Sequence, residues 1–211
     1  MNNQPEIILA SKSPRRKRIF EILECPFRVM IPENVMEGKN HHLPPEKTVI
    51  DNSRKKAESC LEKVQSGLII AADTEVFLGG RIFGKPKDKE EALEMLKTLS
   101  GRTHIVATGV SVIDLSWHRE DIDFFDISYV TFRHLEKRDI LLYMEKTNVF
   151  DKAGAYAVQA HKGSIISGIK GSTWNVIGFP MEKFRQEIIN KDYFSFFKFP
   201  ENDSIQDVIY S

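Results

Sequence analysis

The sequence predicts a mixed α/β domain built on a mixed sheet with flanking helices. Three observations carry this expectation. Strand-like apolar runs alternate with helical periodicities along the chain. The run Leu68-Ile69-Ile70-Ala71-Ala72 has the short, wholly apolar character of a strand covered on both faces. Gly79-Gly80 marks a tight turn that returns the chain as a hairpin through Arg81-Ile82-Phe83.

Taken in order, Ile7-Ile8-Leu9-Ala10 reads as a strand that turns at Ser11-Lys12-Ser13 into a helix over 14–24. Ser13 is a good N-cap for this helix and Pro14 suits its first position. A strand is expected over 27–31, a polar loop containing proline from 32 to 45, and a helix near 45–64. The helix over 89–99 is the best marked: Asp88 caps it with Glu91 three positions on, Ala92, Met95, Leu96 and Leu99 share one face, and Gly101 stops it. Strands over 104–115 and 124–132 lead to a helix over 136–145, where Ile140, Tyr143 and Met144 share a face. Strands over 164–169 and 174–177 and a helix from Met181 to about Ile189 complete the pattern.

At 211 residues the chain suits one domain or two joined lobes, large enough for a core without staples. Its 30 basic and 30 acidic side chains cancel, which argues against a nucleic-acid coat or a polybasic membrane attachment. No apolar run approaches the ~20 residues of a spanning helix, and residues 1–6 lack the basic start and apolar stretch of a signal peptide. A cytoplasmic protein with neither a membrane nor a nucleic-acid partner is therefore expected. Cys25 and Cys60 lie in no CxxC pair or zinc-ligand spacing and read as buried bystander thiols. The densely aromatic stretch over 193–200 is expected to dock back onto the domain or onto a second subunit, which would make a homodimer.

The turn Ser11-Lys12-Ser13-Pro14-Arg15-Arg16 gathers two hydroxyls, two guanidiniums and the free N–H groups of a helix start, an arrangement that suits an anion. The helix dipole adds about 0.3–1 kcal/mol for a negative group there. An ordinary capped surface helix would carry the same signs. Asp73 ends the apolar run 68–72, where ligand sites of α/β sheets gather; Glu37 lies in the loop after the second strand, and Asp151 opens Asp151-Lys152-Ala153-Gly154-Ala155-Tyr156. Such carboxylates can hold a hard divalent cation or simply cap a turn. Lys85 lies in the rigid Gly84-Lys85-Pro86, and Lys56 in a basic cluster that could equally be a solvated face. No P-loop, GxGxxG or HExxH motif appears.

The ordered set Leu9-Ala10-Ser11-Lys12-Ser13-Pro14-Arg15-Arg16, Ala72-Asp73-Thr74, Gly84-Lys85-Pro86, Leu99-Ser100-Gly101-Arg102-Thr103-His104 and Asp151-Lys152-Ala153-Gly154-Ala155-Tyr156 resembles the Maf family of nucleoside triphosphate pyrophosphatases. The closing Asn175-Val176-Ile177-Gly178-Phe179-Pro180 is similar to the family's Asn-Val-Val-Gly-Leu-Pro. The resemblance implies a pyrophosphatase domain over 1–190, followed by an aromatic tail over 191–211. It also implies two lobes around a deep nucleotide cleft, a fold related to inosine triphosphate pyrophosphatases.

The implied reaction is hydrolysis of the α–β phosphoanhydride of a nucleoside triphosphate with a divalent cation, Mg²⁺ or Mn²⁺. By position, Asp73 matches the catalytic proton acceptor, and Glu37 and Asp73 are the implied metal ligands. Ser11, Ser13, Arg15, Arg16, Lys56 and Lys85 match groups lining the phosphate site. Arg15, Thr74 and Gln159 match the positions that distinguish members acting on dTTP and UTP, where those acting on 7-methyl-GTP carry Trp, Gln and Glu. An amide at Gln159 offers the donor and the acceptor that a pyrimidine imide edge needs.

The chain departs from the family at Glu75, where an apolar residue is usual, and at Ala157-Val158, Ala160 and Thr173-Trp174. An added carboxylate at Glu75 could recruit metal, and the other changes bear on the base pocket. Two alternatives stay open beside dTTP and UTP hydrolysis: the same chemistry with altered base specificity, and a weakly active, septum-related nucleotide-binding protein.

Overall fold

The computed structural model describes residues 6–38, 43–116, 120–158 and 165–200. In chain order the elements are β1 (Ile7–Ala10), α1 (Pro14–Ile22), β2 (Phe27–Met30), α2 (Pro45–Glu58), β3 (Leu68–Leu78), β4 (Arg81–Phe83), α3 (Lys89–Leu99), β5 (Thr103–Asp114), β6 (Ile122–Phe132), α4 (Lys137–Lys146), β7 (Ile166–Lys170), α5 (Thr173–Ile177) and α6 (Met181–Ile188). The strands form one seven-stranded mixed sheet in the order β2-β1-β3-β5-β6-β7, with β4 paired to β3. β1 runs parallel to β2 and β3 because α1 and α2 supply the long crossovers that parallel pairing needs; from β3 onward the neighbours are antiparallel. Among the described residues no helix is long and apolar enough to cross a membrane.

Alternation along the strands assigns the two faces. Ile7, Leu9, Leu68, Ile70 and Ala72 pack with Ile19 and Phe20 of α1, Leu23 just beyond its end and Phe184 of α6, whereas Ile8, Ala10, Ile69 and Ala71 meet Ala57 of α2. A separate apolar cluster joins α3, α4 and the far end of the sheet through Leu96, Phe83, Phe132 and Tyr143. The aromatic stretch docks back onto the domain: Tyr193 and Phe197 are buried with Phe184, and Lys198 donates its backbone N–H to Leu23 O at 2.8 Å. Cys25 and Cys60 are buried and unbridged.

Three expectations are corrected. Asp73 does not end its strand, because β3 runs on to Leu78 and pairs with β5 at each position from Leu68 to Phe77. The helix expected over 45–64 breaks after Glu58, where the Ser59 hydroxyl takes Lys56 O at 2.8 Å, and resumes as a single 3-10 turn at Leu61–Lys63. The strand expected over 174–177 is the short helix α5. Ser172 caps it by accepting from Asn175 N, and Gly178 stops it at φ 124°, a torsion that favours glycine.

One close approach sets the depth at which α2 lies on the sheet. A Cβ on Gly109 of β5 would stand 2.4 Å from the backbone C and O of Val49 and 2.6 Å from Ile50 N. Only hydrogen fits there. The buried face of α2 accordingly carries no large side chain, with Thr48, Val49, Asn52, Ser53 and Ala57, and the Ser53 and Ser111 hydroxyls bond at 2.9 Å across the interface.

Candidate active site

β3 pairs with β1 only through Ala71 and with β4 only from Val76, so residues 72–75 have β5 on one side alone. At this interruption lies a cleft of about 810 Å³, a size that suits a nucleotide-sized ligand. It brings together Ser11, Ser13, Arg15, Arg16, Glu37, Lys56, Asp73, Thr74 and Lys85, all singled out from sequence. Gln159 lies outside the described residues.

Asp73 and Glu75 share the face of β3 that α2 covers, and both are buried. A buried carboxylate must be paired or hydrogen-bonded to be tolerated, and Asp73 is both. Its Oδ1 lies 2.5 Å from Lys56 Nζ, and its Oδ2 accepts from Asn52 Nδ2 at 3.0 Å. Lys56 also reaches Glu37 Oε1 at 2.8 Å. Asn52 accepts from Gly38 N at 2.8 Å and donates to Gly38 O, tying the loop that carries Glu37 to α2.

Asn52 escaped the sequence reading; its only signal was a polar side chain one turn before Lys56 on the same helical face. Carboxylate oxygens of Glu37, Asp73 and Glu75 lie within 4.8 Å of one another. Hard oxygen donors at that spacing fit a Mg²⁺- or Mn²⁺-type cation.

The α1 turn is shaped by its own hydroxyls: Ser11 Oγ accepts from Ser13 N at 3.1 Å, and Ser13 Oγ from Arg16 N at 3.4 Å. The two arginines part company. Arg15 pairs with Asp151 at 2.9 Å, and Lys152 meets the other oxygen of the same carboxylate at 2.5 Å. Burial alone would raise Asp151, but Lys152 and Arg15 outweigh it and hold the carboxyl below its usual range.

Arg16 is buried, its Nε donating to Gly178 O at 2.8 Å and its Nη2 to Thr74 Oγ1 at 2.9 Å. Desolvation lowers this guanidinium to about 10, so it stays charged at neutral pH. Thr74 Oγ1 also lies 2.9 Å from Thr108 Oγ1, and Thr108 donates to Asn175 O at 3.0 Å. Arg16 and Thr74 therefore belong to a hydrogen-bonded lattice that locks α1, β3, β5 and α5 together at the edge of the cleft. Opposite in sequence, Gly154 N donates to Gly84 O at 3.1 Å, joining the 151–156 turn to the loop of Lys85.

Tyr156 lines the cleft and its hydroxyl lies 2.8 Å from Nε2 of the buried His104. Burial pushes this imidazole down to about 4 from 6.5. Its contribution to stability is thus complete above pH 6.5 and drains away as pH falls toward 4, at up to about 1.4 kcal/mol per pH unit. The urea midpoint should drop across that window. His104→Gln, which cannot titrate, should lose this share of the pH slope; an unchanged slope would show that His104 is not held neutral by the fold.

Carboxylates with a paired ammonium, set among basic side chains beside an interrupted sheet edge, define an enzyme-like cleft for a phosphorylated small molecule. Residues 6–191 match the family model described as Maf-like protein, and the chain belongs to the Maf family. It is 44% identical over 179 residues to the dTTP/UTP pyrophosphatase of Caldanaerobacter subterraneus subsp. tengcongensis, covering 84% of this chain and 85% of that protein. It is 40% identical over 183 residues to the dTTP/UTP pyrophosphatase of Carboxydothermus hydrogenoformans, covering 87% and 97%. Among solved structures it is similar to the Staphylococcus aureus Ham1 protein, with TM-score 0.42 and 15% identity over 60% of this chain and 71% of that one, too distant to bear on function.

Proposed function

We propose that this chain hydrolyses the α–β phosphoanhydride of dTTP and UTP to the monophosphate and pyrophosphate. The observation that carries the reading is Asp73: a buried carboxylate at the interrupted edge of β3, grouped with Glu37 and Glu75 among basic side chains. The chain's relatives named dTTP/UTP pyrophosphatase support the substrate class.

A triphosphate carries about four negative charges, and the cleft offers the α1 N-terminus, Lys85 and Lys56 to offset them. Glu37 and Asp73, joined by Glu75, would hold the divalent cation, which supplies charge neutralisation on the departing pyrophosphate. Asp73 is then placed to orient the attacking water and take its proton. The water oxygen bonds to the α-phosphorus, the bond from that phosphorus to the α–β bridging oxygen breaks, and pyrophosphate leaves with the bond's electrons. Arg16 and Thr74 hold the scaffold, and Gln159, by its match to the members acting on dTTP and UTP, is the residue assigned to the imide edge of the base.

Pyrophosphate release measured across the eight common nucleoside triphosphates tests this reading. dTTP and UTP should exceed ATP and GTP by at least about tenfold in kcat/KM, a discrimination of ~1.4 kcal/mol within reach of one or two hydrogen bonds. Purines turned over as well as pyrimidines would overturn the base preference. No pyrophosphate from any of the eight would overturn the assignment to these substrates.

A further inference from the structure

The position of Lys56 conflicts with the chemistry its partners would perform. Its ammonium lies 2.5 Å from Asp73 Oδ1 and 2.8 Å from Glu37 Oε1. These are the carboxylates that would hold the cation, and Asp73 would also act on the water. An oxygen that accepts an ammonium proton at such distances has less to offer either, and a positive charge a few ångströms away repels a divalent cation. A cation of the protein's own thus sits where the metal's charge is needed.

The surroundings permit it to leave. Lys56 lines the cleft, and its flexible four-carbon stem can redirect the ammonium without moving α2. Asp73 would keep the Asn52 hydrogen bond at 3.0 Å, so the buried carboxylate would not be stripped of partners. Asn52 also holds Gly38, which keeps the loop of Glu37 in place when the ammonium departs.

We propose that Lys56 is an exchangeable internal cation. It neutralises Asp73 and Glu37 while the cleft is empty, yields them when a divalent cation enters with the nucleotide, and turns its ammonium to the triphosphate. This inference rests on the pyrophosphatase reading and adds a coupling to it. A metal arriving alone must displace Lys56 with no anion to receive it; a metal arriving with a triphosphate brings the receiving anion. The site therefore favours the metal–nucleotide pair over the bare metal.

The test separates the two halves of the exchange. Mn²⁺ binding without nucleotide is measured by the loss of the free-ion electron paramagnetic resonance signal. Binding of an α,β-imido triphosphate in the presence of Mn²⁺ is measured by calorimetry. Lys56→Met should bind Mn²⁺ alone at least about tenfold more tightly than the parent, and the imido triphosphate at least about tenfold more weakly.

A fixed phosphate-binding role would weaken the second measurement only, and a structural role would weaken both; either result overturns the proposal. Lys56→Gln is read in the same way where the Met variant fails to fold. Pyrophosphate release that requires divalent cation in the parent, with Mn²⁺ binding unchanged in both variants, would sink the exchange and leave the function standing. Release that persists after the parent is stripped with EDTA would overturn the metal reading and the exchange together.

Discussion

Asp73→Asn should reduce the kcat for pyrophosphate release by at least 10²-fold, at the low end of what a positioned proton acceptor contributes. The substitution keeps the shape of the side chain. Asn52 Nδ2 can still donate to the remaining carbonyl oxygen, and Lys56 keeps Glu37 at 2.8 Å. What is lost is charge and basicity at a buried position, so the melting temperature should stay within a few degrees of the parent, a change of about 1 kcal/mol. Turnover within threefold of the parent would remove Asp73 from the chemistry.

Gly109→Ala should be as damaging by a different route. The new methyl would meet the backbone of Val49 and Ile50 at 2.4–2.6 Å, where no side-chain rotation can relieve the overlap. Either α2 lifts from the sheet or β5 retreats. Overpacking of this kind costs about 1–3 kcal/mol or more, an expected fall of ~5 °C or more in melting temperature.

Activity should suffer beyond the loss of stability. Gly109 stands opposite Asp73 in the sheet register, and the helix it admits carries Asn52 and Lys56. A displacement of about 1 Å in such groups is enough to cost a hundredfold in rate. Thermal melting and kcat measured on the same preparation check both effects; parent-like values in both would show that α2 tolerates the methyl.

Much of this architecture was legible in residue pattern alone. The alternating strands and helices, the Ser13 cap, the Gly79-Gly80 hairpin and the Asp88–Leu99 helix follow from local rules: side-chain periodicity, capping hydrogen bonds and backbone torsions. The errors fell where tertiary contacts override those rules. Asp73-Thr74-Glu75 looks like the end of a strand because charged residues rarely continue one, yet full pairing with β5 carries the strand on to Leu78. Trp174, Val176 and Ile177 are apolar and β-prone, but the caps at Ser172 and Gly178 and the buried Asn175 side chain bonded to Val106 O and Ser128 Oγ make the segment a helix.

The sequence by itself determined which residue types were available for chemistry and, through ordered motifs, the family to which they belong. Such motifs are local in the chain and survive being read one at a time. The tertiary structure decided which of these residues meet. It tied the buried Arg16 and the half-buried Thr74 into a scaffold, paired Arg15 with Asp151, and placed Lys56 between two carboxylates from a loop and a strand. It also made Asn52 the link from Asp73 to the loop of Glu37. These relations join residues far apart in the chain, and a hydrogen bond or ion pair depends on distances of a few tenths of an ångström that only the packing of α2 against β3 and β5 determines.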